Sequence, residues 1–178
     1  MRVHRWNQNG GSDVIAADEA PGLLVVPPIF SIAPYDTALI RLAFRQSQPP
    51  RKVEESYQVL MTEITAAQSP PARVITVPLF VRPASISGAA SYTLKPSNAT
   101  GATLFIDNQS NVHVFLSKLT ITAGEKTVYK GADTIYVLAG NRRSVPLRLS
   151  GAVVGERAEL RFESEDGSSQ SAQATVSR

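Results

Sequence analysis

The chain has 178 residues, which is enough for one large domain or two small ones. Hydrophobic residues make up 43% of it and charged residues 19%, a composition typical of a folded globular protein. The net charge of +3 is too small to indicate nucleic-acid binding. The absence of cysteine excludes a disulfide framework, a thiol nucleophile and a zinc–cysteine site. No apolar run is long enough to predict membrane insertion.

Short runs with β-strand character follow one another along the chain, separated by Gly, Pro, Asn, Ser and Asp. The run 53–67 also fits helical spacing, but its β-rich neighbours favour a strand. About 90 residues lie on each side of Pro83, which suits two immunoglobulin-sized antiparallel sandwiches. The sequence therefore predicts an all-β protein. The predicted strands lie at 23–26, 37–44, 56–64, 73–81, 102–108, 112–121, 134–140, 144–149, 156–162 and 171–177.

The sequence carries no strong signal for catalytic chemistry. The two histidines are His4 and His113, and His113 lies in an alternating strand that predicts a structural role. The acidic group 163–167 is interpreted as a solvated hairpin and not as a calcium site. No glycine-rich phosphate loop, nucleophile elbow or group of three metal ligands is present in the sequence. We therefore expect no enzymatic activity, no metal and no cofactor.

Six blocks, in order, resemble one family along nearly the whole chain. The chain is similar to the periplasmic pilus-assembly chaperones of the chaperone–usher pathway, and most similar to the archaic branch that serves spore-coat-U-like pili. Each block alone is weak, but their order and spacing match the family. The blocks are HRWNQNGGSD (4–13), LLVVPPIFSIAPYDTALIRLAFR (23–45), EESYQVLMTEI (54–64), VPLFVRPA (77–84), LFIDNQSNVHVFLSKLTI (104–121) and YVLAGNRRSVPL (136–147).

The resemblance implies two immunoglobulin-like β-sandwich domains in an L-shaped arrangement. Residues 1–83 would form the N-terminal chaperone domain and 84–178 a C-terminal β-sandwich domain. The first block aligns with the third strand of the family's first domain. A signal peptide and two strands are therefore expected upstream, the first domain is expected to be N-terminally incomplete, and it is expected to be the less stable half.

The family also implies a function in fimbrium biogenesis and cell-wall organisation. Pilus subunits are immunoglobulin folds that lack their last strand, and the chaperone caps them by donating a strand of its own first domain. This donor-strand complementation is a form of β-augmentation. An outer-membrane usher then receives the subunit. The resemblance thus predicts a periplasmic chaperone with pilus subunits and an usher as partners, and without nucleic acid, metal or nucleotide.

The donor strand would lie at 74–81, where apolar side chains point to both faces. An ordinary core strand is the alternative, although sandwich strands usually have one solvated face. The candidate subunit-binding residues are Val74, Ile75, Val77, Leu79 and Val81.

Other residues of the family pattern have only partial counterparts in this chain. Arg41 occupies the place of a preferred arginine that pairs with a glutamate, here Glu54 or Glu55. This ion pair would fix geometry more than it would add stability.

Family members also anchor the carboxylate of the subunit's C-terminus with cationic side chains, one of them a lysine four residues before an Arg-Pro pair. Pro78 occupies that position here, so the nearby candidates are Arg82 and Arg73. The competing hypothesis is an immunoglobulin-like surface adhesin or structural module. Such a module would need neither a two-faced strand nor the Arg82-Pro83 boundary.

Overall fold

The structure is a computed structural model that describes residues 1–46, 49–64, 72–98 and 100–177. Within these residues there are fourteen β-strands and no helix, which confirms the all-β prediction. No helix in the described ranges could therefore cross a membrane. The chain divides into two compact units: Met1–Asn7 with Asp13–Ala84, and Gln8–Ser12 with Ser85–Arg178.

The first unit contains a four-stranded and a two-stranded antiparallel sheet. The order in the larger sheet is β2-β1-β5-β6, and β3 pairs with β4 in the smaller one. Segment 53–67, which also fitted helical spacing, contains the strand β5, while its residues 65–67 lie outside the described residues. The strands are β1 (Arg2–Asn9), β2 (Ser12–Glu19), β3 (Leu23–Val26), β4 (Arg41–Phe44), β5 (Glu55–Thr62) and β6 (Val74–Val81).

The core of the first unit is small. Val3, Tyr57 and Val59 are its buried centre, because β1 and β5 are the two inner strands of the larger sheet. Partly buried side chains from the chain start, from β3 with the residue ahead of it, and from β6 pack around this centre. They are Met1, Ala20, Leu23, Val25, Leu79 and Val81.

The second unit is built on one long strand path, β10-β9-β13-β14-β7-β8-β12, with β11 paired to β9. All neighbours are antiparallel except β14 and β7, which are parallel. Its strands are β7 (Ala90–Pro96), β8 (Gly101–Asn108), β9 (Val114–Ala123), β10 (Lys126–Lys130), β11 (Ile135–Val137), β12 (Arg142–Arg148), β13 (Arg157–Glu163) and β14 (Ser169–Val176).

A continuous apolar core fills the second unit. Side chains alternate along each strand, so every second residue points inward. The side chains at the centre are completely removed from solvent, and they come from β7, β8, β9 and β13. These are Leu94, Leu104, Leu116, Ile121 and Leu160.

One polar side chain, Asn108, is buried at the end of β8. Its Nδ2 donates to the carbonyl oxygens of Val112 at 2.8 Å, Val137 at 2.9 Å and Leu138 at 3.1 Å. Its Oδ1 accepts from the amide of Ser110 at 3.0 Å and from the Ser110 hydroxyl at 2.7 Å. A single amide thus satisfies backbone groups of the β8–β9 loop and of the segment that continues from β11.

We expect Asn108→Ala to lower the free energy of unfolding of the second unit by about 2–4 kcal/mol, because several buried polar groups lose their partner. Urea denaturation followed by circular dichroism measures the change. Asn98→Ala is the matched control, since Asn98 is exposed and accepts a bond from the amide of Thr100. Equal midpoints for the two variants would contradict this account.

The small core of the first unit also predicts that this unit unfolds first, because less apolar surface is removed from water there. Limited proteolysis in increasing urea should cut within residues 13–84 before it cuts within 85–177. The single tryptophan, Trp6, is buried in the first unit and supplies a fluorescence signal for it. Fluorescence and circular dichroism with one common midpoint would show that the units unfold together.

Candidate partner-binding edge

The strand β6 forms one edge of the larger sheet of the first unit. Its one sheet neighbour in the described part of the chain is β5, and the register runs from Glu55 opposite Val81 to Thr62 opposite Val74. All five predicted donor residues lie on this strand. An edge strand presents backbone groups that another strand can pair with.

The two edges of the sheet differ in charge. The opposite edge, β2, carries three acidic side chains, Asp13, Asp18 and Glu19. The strand β6 has no charged residue between Val74 and Val81. Charged side chains are a common protection of strand edges against unwanted pairing. Hence β2 is a protected edge and β6 is an unprotected one.

The register also defines which backbone groups of β6 point away from β5. The amide of Glu63 donates to the carbonyl of Arg73 at 2.9 Å, which makes these two residues a hydrogen-bonded pair. Such pairs alternate along an antiparallel ladder. Odd-numbered residues of β6 therefore bond to β5, and the backbone groups of Val74, Thr76 and Pro78 point toward the open edge.

Pro78 fits this alternation, because proline has no N–H and is tolerated where the missing donor would face outward. It lies opposite Gln58, at a position where the ladder to β5 requires no hydrogen bond. The ladder between β5 and β6 is therefore complete despite the proline. The open edge has an acceptor but no donor at this one position.

Side-chain exposure changes along β6. Val74, Ile75 and Val77 are 56%, 59% and 43% exposed, although all three are apolar. Leu79 and Val81 are partly buried and pack against the core of the first unit. Apart from Thr76 the strand is thus apolar, but only its first half presents large apolar side chains to solvent.

The other face of β6 is covered near its C-terminal end. The Phe80 ring lies 5.9 Å from the Trp6 ring, centroid to centroid. Trp6 is buried, and its Nε1 donates to Oδ1 of Asp13 at 3.0 Å. Aromatic contacts at this distance are favourable beyond the area that they bury. The second half of β6 is therefore held from both faces.

A charged network lies around Glu55, at the start of β5. Oε2 of Glu55 accepts from Nε of Arg51 at 2.7 Å and from the Tyr57 hydroxyl at 2.8 Å. Nη2 of Arg5 lies 3.5 Å from the other oxygen, Oε1. The Arg51 guanidinium also lies 4.6 Å from the centroid of the Phe44 ring. These residues line a cavity of about 300 Å³ on the first unit.

The structure brings Glu55 to Arg51 and Arg5 and does not bring it to Arg41. Arg41 lies on β4 opposite Val26, in the smaller sheet, with an exposed side chain. No ion pair joins Arg41 to a glutamate within the described ranges. Glu54, the other predicted partner, is buried. Two other arginines therefore lie where Arg41 was expected: Arg5 from β1 and Arg51 from the loop ahead of β5.

The network shifts the pKa of Glu55. Burial of the carboxyl group opposes its ionisation, but the hydrogen bonds from Arg51 and Tyr57 and the nearby charges of Arg51 and Arg5 outweigh burial. The pKa of Glu55 is consequently held below its ordinary value of 4.5. The carboxylate is ionised at neutral pH and links three side chains from different parts of the first unit.

The two predicted carboxylate anchors lie at opposite ends of β6. Arg73 directly precedes the strand and Arg82 directly follows it, and both are exposed. Nine residues of extended chain separate them by about 30 Å. A single carboxylate can therefore contact one of these two arginines but not both. The described residues contain no group of three potential metal ligands.

The comparisons with known proteins agree with this geometry. Residues 1–87 match the family model described as the pili and flagellar-assembly chaperone, PapD N-terminal domain. The N-terminal half of the chain belongs to this chaperone family. No curated protein sequence matches the chain significantly.

Two solved chaperone structures are similar to the whole chain. The CupB2 chaperone of Pseudomonas aeruginosa matches with a TM-score of 0.58 and 13% identity, over 98% of this chain and 85% of that one. The E. coli chaperone DraB matches with a TM-score of 0.59 and 16% identity, over 99% of this chain and 81% of that one. These similarities establish the fold of the chaperone as two β-sandwich domains.

The sequence pattern does not indicate that Arg5 and Arg51 contact Glu55. Arg51 lies four residues before Glu55, a spacing that brings side chains together in a helix but not in an extended strand. The contact of Arg51 depends on the path of the loop ahead of β5, and Pro49-Pro50 marks a loop there without defining that path. The alternation of 74–81 places Thr76 and Pro78 on the same face. That their backbone groups point to the open edge follows only from the register with β5.

We expect Glu55→Gln to destabilise the first unit of the chaperone at neutral pH, because the charge that binds both arginines is lost. The lowered pKa makes this contribution complete above pH 4.5, and it disappears as the pH falls through the lowered pKa. Urea denaturation followed by Trp6 fluorescence, at pH 7 and then at decreasing pH, measures the difference between variant and wild type.

Glu19→Gln is the matched control for this experiment. Glu19 lies 3.7 Å from Arg2 with both side chains largely exposed, so its removal should change stability little at any pH. A difference between wild type and Glu55→Gln that stays constant from pH 7 to pH 3 would show that the network does not act through ionised Glu55.

Proposed function

We propose that this pilus-assembly chaperone caps pilus subunits by donating β6 as the missing strand of the subunit fold, and then delivers them to an outer-membrane usher. The partners are spore-coat-U-like subunits and the compartment is the periplasm. The chaperone N-terminal domain is residues 1–83 and the second domain is 84–178. Binding requires no nucleotide or metal, because strand pairing and apolar burial supply the free energy.

The observation that carries the proposal is the combination of features found on β6. The strand lies at a sheet edge, bears no charge, and exposes apolar side chains at Val74, Ile75 and Val77. A donated strand needs outward backbone groups for hydrogen bonds and apolar side chains for the pockets of its partner. The other edge strand, β2, also exposes the apolar side chains of Val14 and Ile15, but its three acidic residues oppose pairing with a further strand.

The subunit's C-terminal carboxylate would be bound by Arg82 or by Arg73. A guanidinium group binds a carboxylate with two parallel hydrogen bonds, so either arginine suffices chemically. The position that holds a lysine in other members of the family holds Pro78 in this chain. The choice between the two arginines determines at which end of β6 the subunit's C-terminus lies.

Thr76→Pro tests the strand pairing directly. The amide of Thr76 points away from β5, so proline removes a donor from the open edge and leaves the β5–β6 ladder intact. We expect the affinity for a subunit to fall about 3- to 10-fold, the worth of one net hydrogen bond. Thr76→Ala keeps the amide and should bind like wild type.

The affinity is measured by letting variant and wild type compete for the subunit in the same cell. Variant and wild type carry different affinity tags and are co-expressed in the periplasm with a spore-coat-U-like pilus subunit. The ratio of subunit recovered on the two tags gives the relative affinity, and Trp6 fluorescence shows that both chains are folded. Equal recovery on Thr76→Pro and Thr76→Ala would rule out pairing at this edge.

A further inference from the structure

The outward face of the second unit carries an exposed aromatic ring. Phe105 lies on β8 and remains 43% exposed, although its two neighbours along the chain, Leu104 and Ile106, are buried in the core. Thr93 of β7 and Ser144 of β12 lie directly opposite Phe105, and residues that are opposite in an antiparallel pair share a face. A hydroxyl-bearing side chain thus flanks the ring on each side.

A charged pair lies one step further along the same three strands. Ser91, Asp107 and Arg142 form the next row on this face, because alternate residues of a strand point to the same side. Nη2 of Arg142 lies 2.9 Å from Oδ2 of Asp107. The hydrogen bond from Arg142 holds the pKa of Asp107 below its ordinary value of 3.8, so the carboxylate is ionised at neutral pH. The pair therefore presents an acceptor and a donor side by side without net charge.

These two rows line an open cavity of about 630 Å³ on the second unit. The turn between β1 and β2 also lines it, and the residues of this turn, Gly10 and Gly11, belong to the second unit. A Cβ atom added to Gly11 would lie 3.7 Å from the carbonyl oxygen of Arg142, so the turn lies close to the start of β12. The glycines contribute no side chain that could fill the cavity.

The side chains that line the cavity restrict the chemistry of a ligand. Among the described residues that line it, Phe105 is the one large apolar side chain exposed to solvent, so a lipid would find little surface to bury. Asp107 opposes an anion and Arg142 opposes a cation. A neutral ligand with a flat apolar face and adjacent hydroxyl groups fits the cavity, because hydroxyl groups can donate to Asp107 and accept from Arg142.

We propose that this cavity binds a β-linked pyranose unit of a glycan, either glucose or N-acetylglucosamine. The ring substituents of these sugars are equatorial, which leaves a flat C–H face that packs on the Phe105 ring. Asp107 and Arg142 bind two neighbouring hydroxyl groups, and the hydroxyl groups of Thr93 and Ser144 bond to oxygens at the edge of the sugar. The site uses no part of β6 and is therefore independent of the proposed function.

Saturation-transfer NMR on the full chain measures this binding, with cellotriose and the N-acetylglucosamine trimer chitotriose as probes. Sorbitol is the control ligand, because it has the hydroxyl groups of glucose but no ring. We expect one or both trisaccharides to bind with a Kd of about 1 mM or less, and sorbitol not to bind. Binding of chitotriose alone would identify the N-acetylated sugar as the ligand, and binding of cellotriose alone would identify the unmodified one.

Variants of the lining residues test the geometry. Phe105→Ala should weaken binding about tenfold, because the apolar face of the sugar loses its contact. Asp107→Asn should weaken it about three- to tenfold, since a charged acceptor is lost. Two matched controls should bind like wild type. Val154→Ala removes an exposed apolar side chain outside the cavity, and Glu163→Gln removes the acid of an ion pair with Lys118 at 2.8 Å.

Thermal unfolding shows whether each variant is folded. Where Phe105→Ala does not fold, Phe105→Leu replaces it, because leucine keeps the apolar volume without a flat ring. The proposal is wrong if neither trisaccharide binds at about 10 mM, if sorbitol binds equally well, or if the folded Phe105 variant binds like wild type. No pilus subunit is present in this assay, so failure of the glycan site would leave the proposed function standing.

Discussion

An unprotected strand edge is the constraint around which the first unit is organised. Such an edge favours pairing with any extended segment, and most soluble proteins cover it or place charges on it. Here β2 follows that rule with acidic side chains and β6 does not. The contacts of Leu79, Val81 and Phe80 then hold the strand extended, so that little conformational entropy remains to be lost on pairing.

The second unit shows a different balance of forces. Its core is continuous and apolar, and the fully buried amide of Asn108 bonds to backbone groups of the loop that follows β8 and of the end of β11 with the residue after it. A stable second unit joined to a first unit with a small core is consistent with a protein whose first unit gains stability when it binds a partner.

The sequence predicted the strand character of 73–81 and its two apolar faces, because period-two alternation is a local property. It could not predict that exposure changes at Pro78, since this depends on which residues of β6 pack against the core that includes Leu23 and Val25 of β3. Apolar runs also do not predict the strands β1 and β2. Their alternation includes many polar residues, such as the Gln8 side chain, which is buried.

The family resemblance predicted the order of the strands along the chain better than it predicted individual contacts. It placed β6 correctly as a strand at the end of the first unit, yet it assigned the partner of Glu55 to Arg41, which lies in the other sheet. The arginines that contact Glu55 come from β1 and from the loop before β5. A charge can be supplied from several places in a fold, so sequence position alone does not identify its source.

The outward-facing Pro78 has a consequence for the alignment of any strand that pairs with β6. Strands can shift along each other in steps of two residues without exchanging their faces, whereas a shift of one residue reverses every side chain. Any alignment in which the partner strand extends past Pro78 forgoes one hydrogen bond, because proline has no N–H to donate. Pro78 therefore disfavours the longer overlaps by one hydrogen bond relative to those that end before it.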